Sequence, residues 1–434
     1  MNHKTFILGF LTVVFTSLTI NAQFHFETYA LQNVNIIDVN TQQILSDYTI
    51  VIHKDLISNI LPSKDYVSND SIQSINTVKG KFVVPGLIDA HVHFATDPTA
   101  ERRDEAEKVL QEMLLSGITS VRDMAGDTRA LSSLSRDAWV GDIDAPNIYY
   151  SSLMAGTTFF ADPRTIASAQ GGKSGEMPYM KAIDDNSNIS LEVAQAIGTG
   201  AHGIKLYANL TPKQINKIVE EAKKQHIPVW SHAAHNPTKP SEIIPSGVIS
   251  VSHANLLLYE NVMENKELVN SWKAHEATEN DALYWDEEFN ALDFSNIYNL
   301  MIKYDVVFDP TLTVFERYNE KQETKWLYQI SKRMIKQAHE AGVKVAAGSD
   351  SDQATFVQYE MKLLVNESDF SPMDALVSAT KYAAMATGIL KDEGTIEKGK
   401  KANLLFLNSN PIDNVDHIDT VYLVIKNGKL YNSN

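Results

Sequence analysis

The sequence predicts an α/β protein: a (β/α)8 barrel joined to a small β-sandwich that is built from both ends of the chain. Three observations carry this expectation. Short apolar runs alternate with helical runs through the middle of the chain, giving eight strand candidates. The stretches before and after that middle are rich in short strands. Histidines, a lysine and an aspartate fall at the ends of several different apolar runs, the face on which barrel enzymes build their sites.

The chain has 434 residues, 44% of them hydrophobic and 21% charged. That is ordinary globular composition, which excludes fibrous and wholly disordered chains and leaves room for one large domain and a smaller one. Lys and Arg number 38 against 54 Asp and Glu, a net charge of −16, so a nucleic-acid partner is not expected, because nothing would neutralise the phosphates. There is no cysteine. Disulfides, thiolate zinc sites and a cysteine nucleophile are therefore excluded, and any metal must be held by histidine, carboxylate or a rarer ligand.

Residues 1–22 read as an address. Lys4 precedes the largely apolar run 6–18, and Ile20-Asn21-Ala22 ends in a small residue. This predicts a secretory signal peptide cleaved after Ala22, with an uncleaved anchor as the alternative. The apolar run is too short to span a bilayer comfortably, and no other segment has the length, so a periplasmic or secreted protein without a membrane span after cleavage is expected.

The sandwich is expected from 23–84 together with 395–434. Strand-like runs lie at 29–37, 48–53, 58–61 and 81–84, and again at 403–407, 420–426 and 429–431. Asn427-Gly428 between the last two is a strong hairpin signal. Neither end buries much alone, so pairing them is the economical solution. The barrel is expected over 85–394, with strands at 87–89, 119–122, 147–151, 203–207, 228–231, 248–252, 306–310 and 343–347, and helices such as 101–116, 212–225 and 325–341. A doubly wound open sheet is the rival; the barrel is preferred because the chemistry lies at several strand ends. Residues 259–294 form a long excursion with ten acids, two lysines and a cluster of Tyr284, Trp285 and Phe289. It reads as a solvated insertion, or else as a lid or an oligomer contact. As a lid, it would favour cationic substrates.

His91 and His93 follow the first strand as His-x-His, and residues i and i+2 of a strand share a face. His232 and His253 end the fifth and sixth runs, Asp350 follows the eighth, and Lys205 sits among apolar neighbours in the fourth. Each has a plain structural alternative: a satisfied half-buried histidine, a helix cap for Asp350, a snorkelling or paired Lys205. Six such residues at the ends of strands one, four, five, six and eight make coincidence a poor account.

The motifs Val84-Pro-Gly-Leu-Ile-Asp-Ala-His-Val-His93, Gly117-Ile-Thr-Ser-Val-Arg-Asp123, Gly203-Ile-Lys205, Ser231-His232, Ser252-His253, Gly348-Ser-Asp350 and the tail Gly394-Thr-Ile-Glu-Lys-Gly-Lys-Lys-Ala-Asn-Leu404 resemble the amidohydrolase superfamily. The likeness is to the branch of imidazolonepropionase-related proteins and prolidase-like dipeptidases, and it covers nearly the whole chain after residue 22. Two departures stand out. Asn403 replaces the usual aspartate of the tail. Residues 155–164 and Gly171-Gly172 replace a glycine- and histidine-rich stretch after strand three, which bears on the substrate rather than on the metal site.

The resemblance implies that His91, His93 and Asp350 bind one divalent metal, and that His232 and His253 bind a second. A carboxylated Lys205 would bridge the two together with a hydroxide. A lysine buried beside two cations cannot stay an ammonium, and the neutral amine can form a carbamate. Nitrogen and oxygen ligands without thiolate suit zinc, with manganese as another candidate. The implied reaction is hydrolysis of an amide C–N bond: the bridging hydroxide attacks the carbonyl, and Asp350 acts as general base and then acid. The expected partner is a small-molecule or short-peptide substrate, most simply a dipeptide or N-acyl amino acid. A cyclic amide, as for imidazolonepropionase, is the alternative; a catalytically silent barrel serving as a binding module is the third reading. Tyr207, Arg122 and His235 are the candidate substrate contacts, with Arg164 open. Against these stand a rim tyrosine, an Arg122–Asp123 ion pair and a surface histidine. A homo-oligomer is left open.

Overall fold

The computed structural model describes residues 27–69, 72–94, 100–276, 278–351 and 356–432; the expected signal peptide lies outside the described residues. Both chain ends enter one eight-stranded sheet. Its order runs from Lys429–Asn432 through Val421–Lys426, Leu404–Leu407, Phe82–Pro85, Thr28–Asp38 and Gln43–His53 to Leu56–Pro62. The seam is the antiparallel pairing of Phe82–Pro85 with Leu404–Leu407, in which Val84 lies opposite Leu405. A short strand, Gln73–Ile75, pairs parallel with Thr28–Asp38; its three residues carry no readable alternation, and the sequence did not reveal it.

Alternation explains how this sheet serves two cores. Leu404 and Phe406 pack with Leu31, Ile36 and Ile425 in the sheet's own cluster, whereas Leu405 and Leu407 join the barrel core on the opposite face. All four are buried, and each such side chain contributes about 1.5–3 kcal/mol on burial. The final hairpin turns at Asn427 (φ 48°) and Gly428 (φ 74°), the two left-handed positions of a type I′ turn. Glycine is required at 428, since a Cβ there would lie 1.9 Å from the Lys54 carbonyl oxygen.

The middle of the chain forms seven consecutive parallel strands: Leu87–Val92 (one), Ile118–Asp123 (two), Asn147–Gly156 (three), Gly203–Leu206 (four), Val229–His232 (five), Ser250–Ser252 (six) and Val307–Asp309 (seven). The expected eighth strand, 343–347, is not a regular strand. It closes the ring through single bridges and hydrogen bonds on both sides: Phe308 N to Lys344 O at 2.9 Å, Ala346 N to Phe308 O at 2.8 Å, and Ala90 N to Ala347 O at 3.0 Å. The contact with strand one continues past Asp350 (φ 48°) to a bridge between Val92 and Ser351.

The helices begin where the sequence supplies caps. Thr211 and Gln214 form a capping box before Pro212–Lys224, and Asp127 caps Thr128–Val140. A buried acid joins barrel to sheet: Glu393 accepts from Tyr149 Oη at 2.7 Å, Asn147 Nδ2 at 3.2 Å and Lys401 Nζ at 3.1 Å.

The acidic excursion folds into helices Lys266–Ala274 and Asp281–Asn290. Trp272, Trp285 and Phe289 are buried, and Asp281 and Asp286 pair with Lys325 and Arg333 of Lys325–Glu340. Glu264, Glu267, Glu276, Glu279, Asp286, Glu287 and Asp293 are exposed. The segment is thus a helical layer docked on an outer helix. Among the described residues, no helix is long and apolar enough to cross a membrane.

Candidate active site at the strand ends

Strand one brings His91 and His93 to the ends of the barrel strands, and the neighbouring strands bring the rest. Asp350 lies among the imidazoles. Its Oδ1 is 3.1 Å from His93 Nε2 and 3.6 Å from His91 Nε2, and its Oδ2 is 3.7 Å from His253 Nδ1. Ligating atoms of His91, His253 and Asp350 all lie within 4.8 Å of one another. The His232 ring centroid is 4.7 Å from that of His253 and 4.3 Å from that of Tyr207. Lys205 is fully buried on strand four, with Nζ donating to Ser252 Oγ at 2.9 Å.

Three residues at the site, two of them candidate ligands, are held in unusual backbone conformations. His253 has φ 76°, Thr311 φ 53° and Asp350 φ 48°. Such positions cost about 1–3 kcal/mol each and persist where the surroundings over-determine them. Here the His253 amide donates to the Asp309 carbonyl at 2.9 Å, and the Asp350 amide to that of His91 at 2.8 Å.

The electrostatics favour ligand forms. Burial above all, with the Lys205 charge, keeps His232 and His91 below their ordinary pKa and brings His253 to about 3. That favours the neutral imidazole, the form that binds metal, in these three rings. At His93 burial pulls the same way, but the hydrogen bond with Asp350 and the charges of Asp350 and Asp123 outweigh it and raise the pKa. Burial works against ionisation of Asp350, but His91, the hydrogen bond with His93 and His253 outweigh it and hold the carboxyl far below its ordinary range. Burial, aided by Arg122, lowers Lys205 to about 7, so a large fraction is the free amine at neutral pH. His91 supplies a test of fit: Nδ1 is 2.7 Å from Asp309 Oδ2, while Nε2 is buried with no hydrogen-bond partner among the described residues. A donor set of imidazoles, three of them held toward the neutral form, with a carboxylate, a buried amine and one nitrogen left bare toward Asp350, fits divalent metal ions.

The three candidate substrate contacts fare differently. Tyr207 lies at the end of strand four and lines a cavity of about 300 Å³ with His93, Asp350, Arg164 and Arg317. His235 is almost wholly buried and not a surface residue. Ser231 Oγ donates to the His232 carbonyl at 2.7 Å and is 2.8 Å from His235 Nε2, so the ring donates from Nε2 to Ser231. It lines a second, larger cavity of about 570 Å³ with His232, His253, Leu256, Tyr259 and Tyr318. Tyr259 is the residue that the acidic excursion contributes to this lining.

Arg122 is the correction. It is fully buried and donates to Ala90 O at 2.6 Å, Ser250 Oγ at 2.8 Å, Ala386 O at 2.7 Å and Asp309 Oδ2 at 3.1 Å. Its guanidinium also lies 5.1 Å from the Trp230 ring. The ion pair is with Asp309, not Asp123, and the side chain is committed inside the barrel, where a substrate carboxylate does not reach.

Sequence reasoning missed Asp309, Ser252 as a hydrogen-bonding residue, and Asp89, which accepts from Ser349 N at 2.9 Å, Ser349 Oγ at 2.7 Å and His91 N at 3.1 Å. A signal existed for Asp309: an acid ending the apolar run 306–308, as Asp350 ends the next. Arg317 lies in the turn after Leu312–Glu316, which carries no such pattern.

The profile of the amidohydrolase family matches residues 82–431. The ochratoxinase of Aspergillus niger is 23% identical over 89% of this chain and 83% of its own length. An imidazolonepropionase of Pseudomonas fluorescens (strain Pf0-1) is 24% identical over 83% of this chain and 88% of its own. Among solved structures, a Xaa-Pro dipeptidase with methionine bound in its active site superposes with a TM-score of 0.72 at 22% identity, covering 93% of this chain and all of that one.

Proposed function

Because the chain belongs to the amidohydrolase family, and so is a hydrolase acting on carbon–nitrogen bonds, we propose that it is a binuclear metal-dependent enzyme that cleaves a dipeptide or an N-acyl amino acid. The observation that carries this reading is the cluster of His91, His253 and Asp350 within 4.8 Å, with Lys205 buried beside it. His91, His93 and Asp350 would hold one ion, His232 and His253 the other, and Lys205 as a carbamate would join the two. Zinc suits this donor set. When bound, such a pair supplies Lewis acidity toward the scissile carbonyl and lowers the pKa of water.

The chain's own residues account for the rest of the reaction. Asp350, ionised and partly open to the cleft, receives a proton from the attacking water and returns it to the leaving nitrogen. Burial keeps the Tyr207 phenol protonated across the neutral range, so its hydroxyl is a donor for the carbonyl oxygen. The two cavities suggest how an elongated substrate lies. Arg164 and Arg317 line the smaller one and suit a free carboxylate. Leu256, Tyr259, Phe315, Tyr318 and Leu327 line the larger one and suit an apolar acyl group or N-terminal side chain. Arg164 already pairs with Asp162 at 2.8 Å, which leaves Arg317 the main anchor.

Opening of a cyclic amide is the second reading, supported by the likeness to imidazolonepropionase; two cavities, one lined by His93 and Asp350 and the other by His232 and His253, favour the first. A screen of dipeptides and N-acyl amino acids against cyclic amides, read as released amine or as ring opening, separates them. Turnover of the cyclic amides alone would overturn the first reading.

A further inference from the structure

We infer that Asp309 is a positioning residue that orients, from one carboxylate oxygen, both a ligand of the first ion and the bridging lysine, an inference that rests on the binuclear reading above. Three donors converge on its Oδ2: His91 Nδ1 at 2.7 Å, Ser252 Oγ at 3.0 Å and Arg122 Nη2 at 3.1 Å. Asp309 itself is fully buried. A carboxylate facing a buried guanidinium accepts only, so His91 carries its proton on Nδ1 and presents a bare Nε2 toward Asp350. That fixes the tautomer and the ring orientation of one metal ligand.

The second branch runs the other way. Lys205 Nζ donates to Ser252 Oγ at 2.9 Å, and the Ser252 hydroxyl donates onward to Asp309. A neutral amine and its carbamate both retain an N–H, so the same bond anchors the Lys205 nitrogen before and after carboxylation. His91 and Lys205, on strands one and four, thus take their orientation from one residue on strand seven.

The shape of the site enforces this arrangement. A Cβ at Gly348 would lie 2.5 Å from Asp309 Oδ1 and 2.7 Å from His91 Cβ, so the backbone of the closing segment covers the carboxylate. Oδ1 has no hydrogen-bond partner among the described residues. In Asp309→Asn the amide oxygen can replace Oδ2 only by placing an unpaired NH2 at Oδ1, and the Arg122 charge loses its counter-ion.

The test compares wild type, Asp309→Asn and Ser252→Ala. Metal content is measured by elemental analysis after dialysis at graded free zinc, together with the rise in melting temperature that zinc produces. Wild type should bind two ions. Asp309→Asn should bind about 10–100-fold more weakly and lose most of the zinc-dependent rise in melting temperature. Ser252→Ala, which cuts only the Lys205 branch, should lose the bicarbonate dependence of reconstitution while keeping one ion. Asp309→Asn that binds two ions with wild-type affinity overturns the inference. So does an equal drop in melting temperature with and without zinc, which is the mark of a purely structural acid. If Asp309→Asn does not fold, Ser252→Ala with wild-type metal affinity overturns it. Wild type that binds no metal overturns the binuclear reading instead, so the two failures are distinguishable.

Discussion

Asp89 accepts two hydrogen bonds from Ser349, from its amide at 2.9 Å and from its hydroxyl at 2.7 Å. The pair ties strand one, which carries His91 and His93, to the turn that carries Asp350. All the groups involved are buried. Asp89→Ala leaves the amides of Ser349 and His91 without their acceptor, at a cost of about 1–3 kcal/mol for each buried orphan. The expected outcome is a lower urea midpoint together with weakened metal binding. An unchanged midpoint would show that the clamp contributes nothing.

Asp350→Asn keeps the shape of the cleft but removes both the proposed proton relay and one proposed metal ligand, so it is assayed with its metal content measured alongside. A loss of about 10²–10⁴-fold in kcat is expected, the range for a missing general acid–base. The single-turnover rate checks whether the lost step is the chemical one. A variant whose kcat stays near normal would assign the proton relay to another residue.

Arg317 is exposed and lines the smaller cavity together with Tyr207. Arg317→Gln should raise KM for an N-acyl amino acid by about tenfold, the equivalent of a charge-assisted hydrogen bond at the low end of its range. KM for the matching carboxamide should barely move. Equal effects on the two substrates would remove the carboxylate from the smaller lobe.

Glu360 supplies a pH prediction away from the metal ligands. It is buried and accepts from Leu312 N at 2.9 Å, Thr313 N at 2.7 Å and Thr313 Oγ1 at 2.6 Å, which fastens the start of Leu312–Glu316 under the cleft. Burial outweighs those bonds and raises its pKa from the ordinary 4.5 to about 8. A raised acid holds its proton longer in the folded state than in the unfolded one, so its contribution is full below 4.5 and is lost as the pH rises through about 8. Wild type should therefore lose stability relative to Glu360→Gln between pH 5 and 8, about the window between those two values. Chemical unfolding at several pH values checks this; a constant difference would mean that Glu360 does not titrate there.

The candidate site was legible as a cluster because its residues are chemically out of place in apolar runs. His91, His93, Lys205, His232, His253 and Asp350 all interrupt or end such runs, and the fold brings them to one end of the barrel. Both chain ends were legible as strands, and Asn427-Gly428 gave the last turn. What the sequence hid was depth. Arg122 and Asp123 are neighbours on strand two, but alternation sends Arg122 into the barrel toward Asp309, and no local pattern names a partner 187 residues away. The eighth segment was legible at 343–347, but not its irregularity: it closes the ring with isolated bridges rather than a ladder. Part of the cleft wall comes from the turn after Leu312–Glu316, where Arg317 and Tyr318 have no periodicity to betray them.

The central claim is that six residues hold two metal ions bridged by Lys205. Elemental analysis of purified wild type and Lys205→Ala, each reconstituted with zinc and bicarbonate, tests it most directly. The account predicts about two ions per wild-type chain, with Lys205→Ala losing the bridge, metal occupancy and most of the activity. A wild type that binds no metal, or Lys205→Ala that keeps two ions and a near-normal rate, would contradict it.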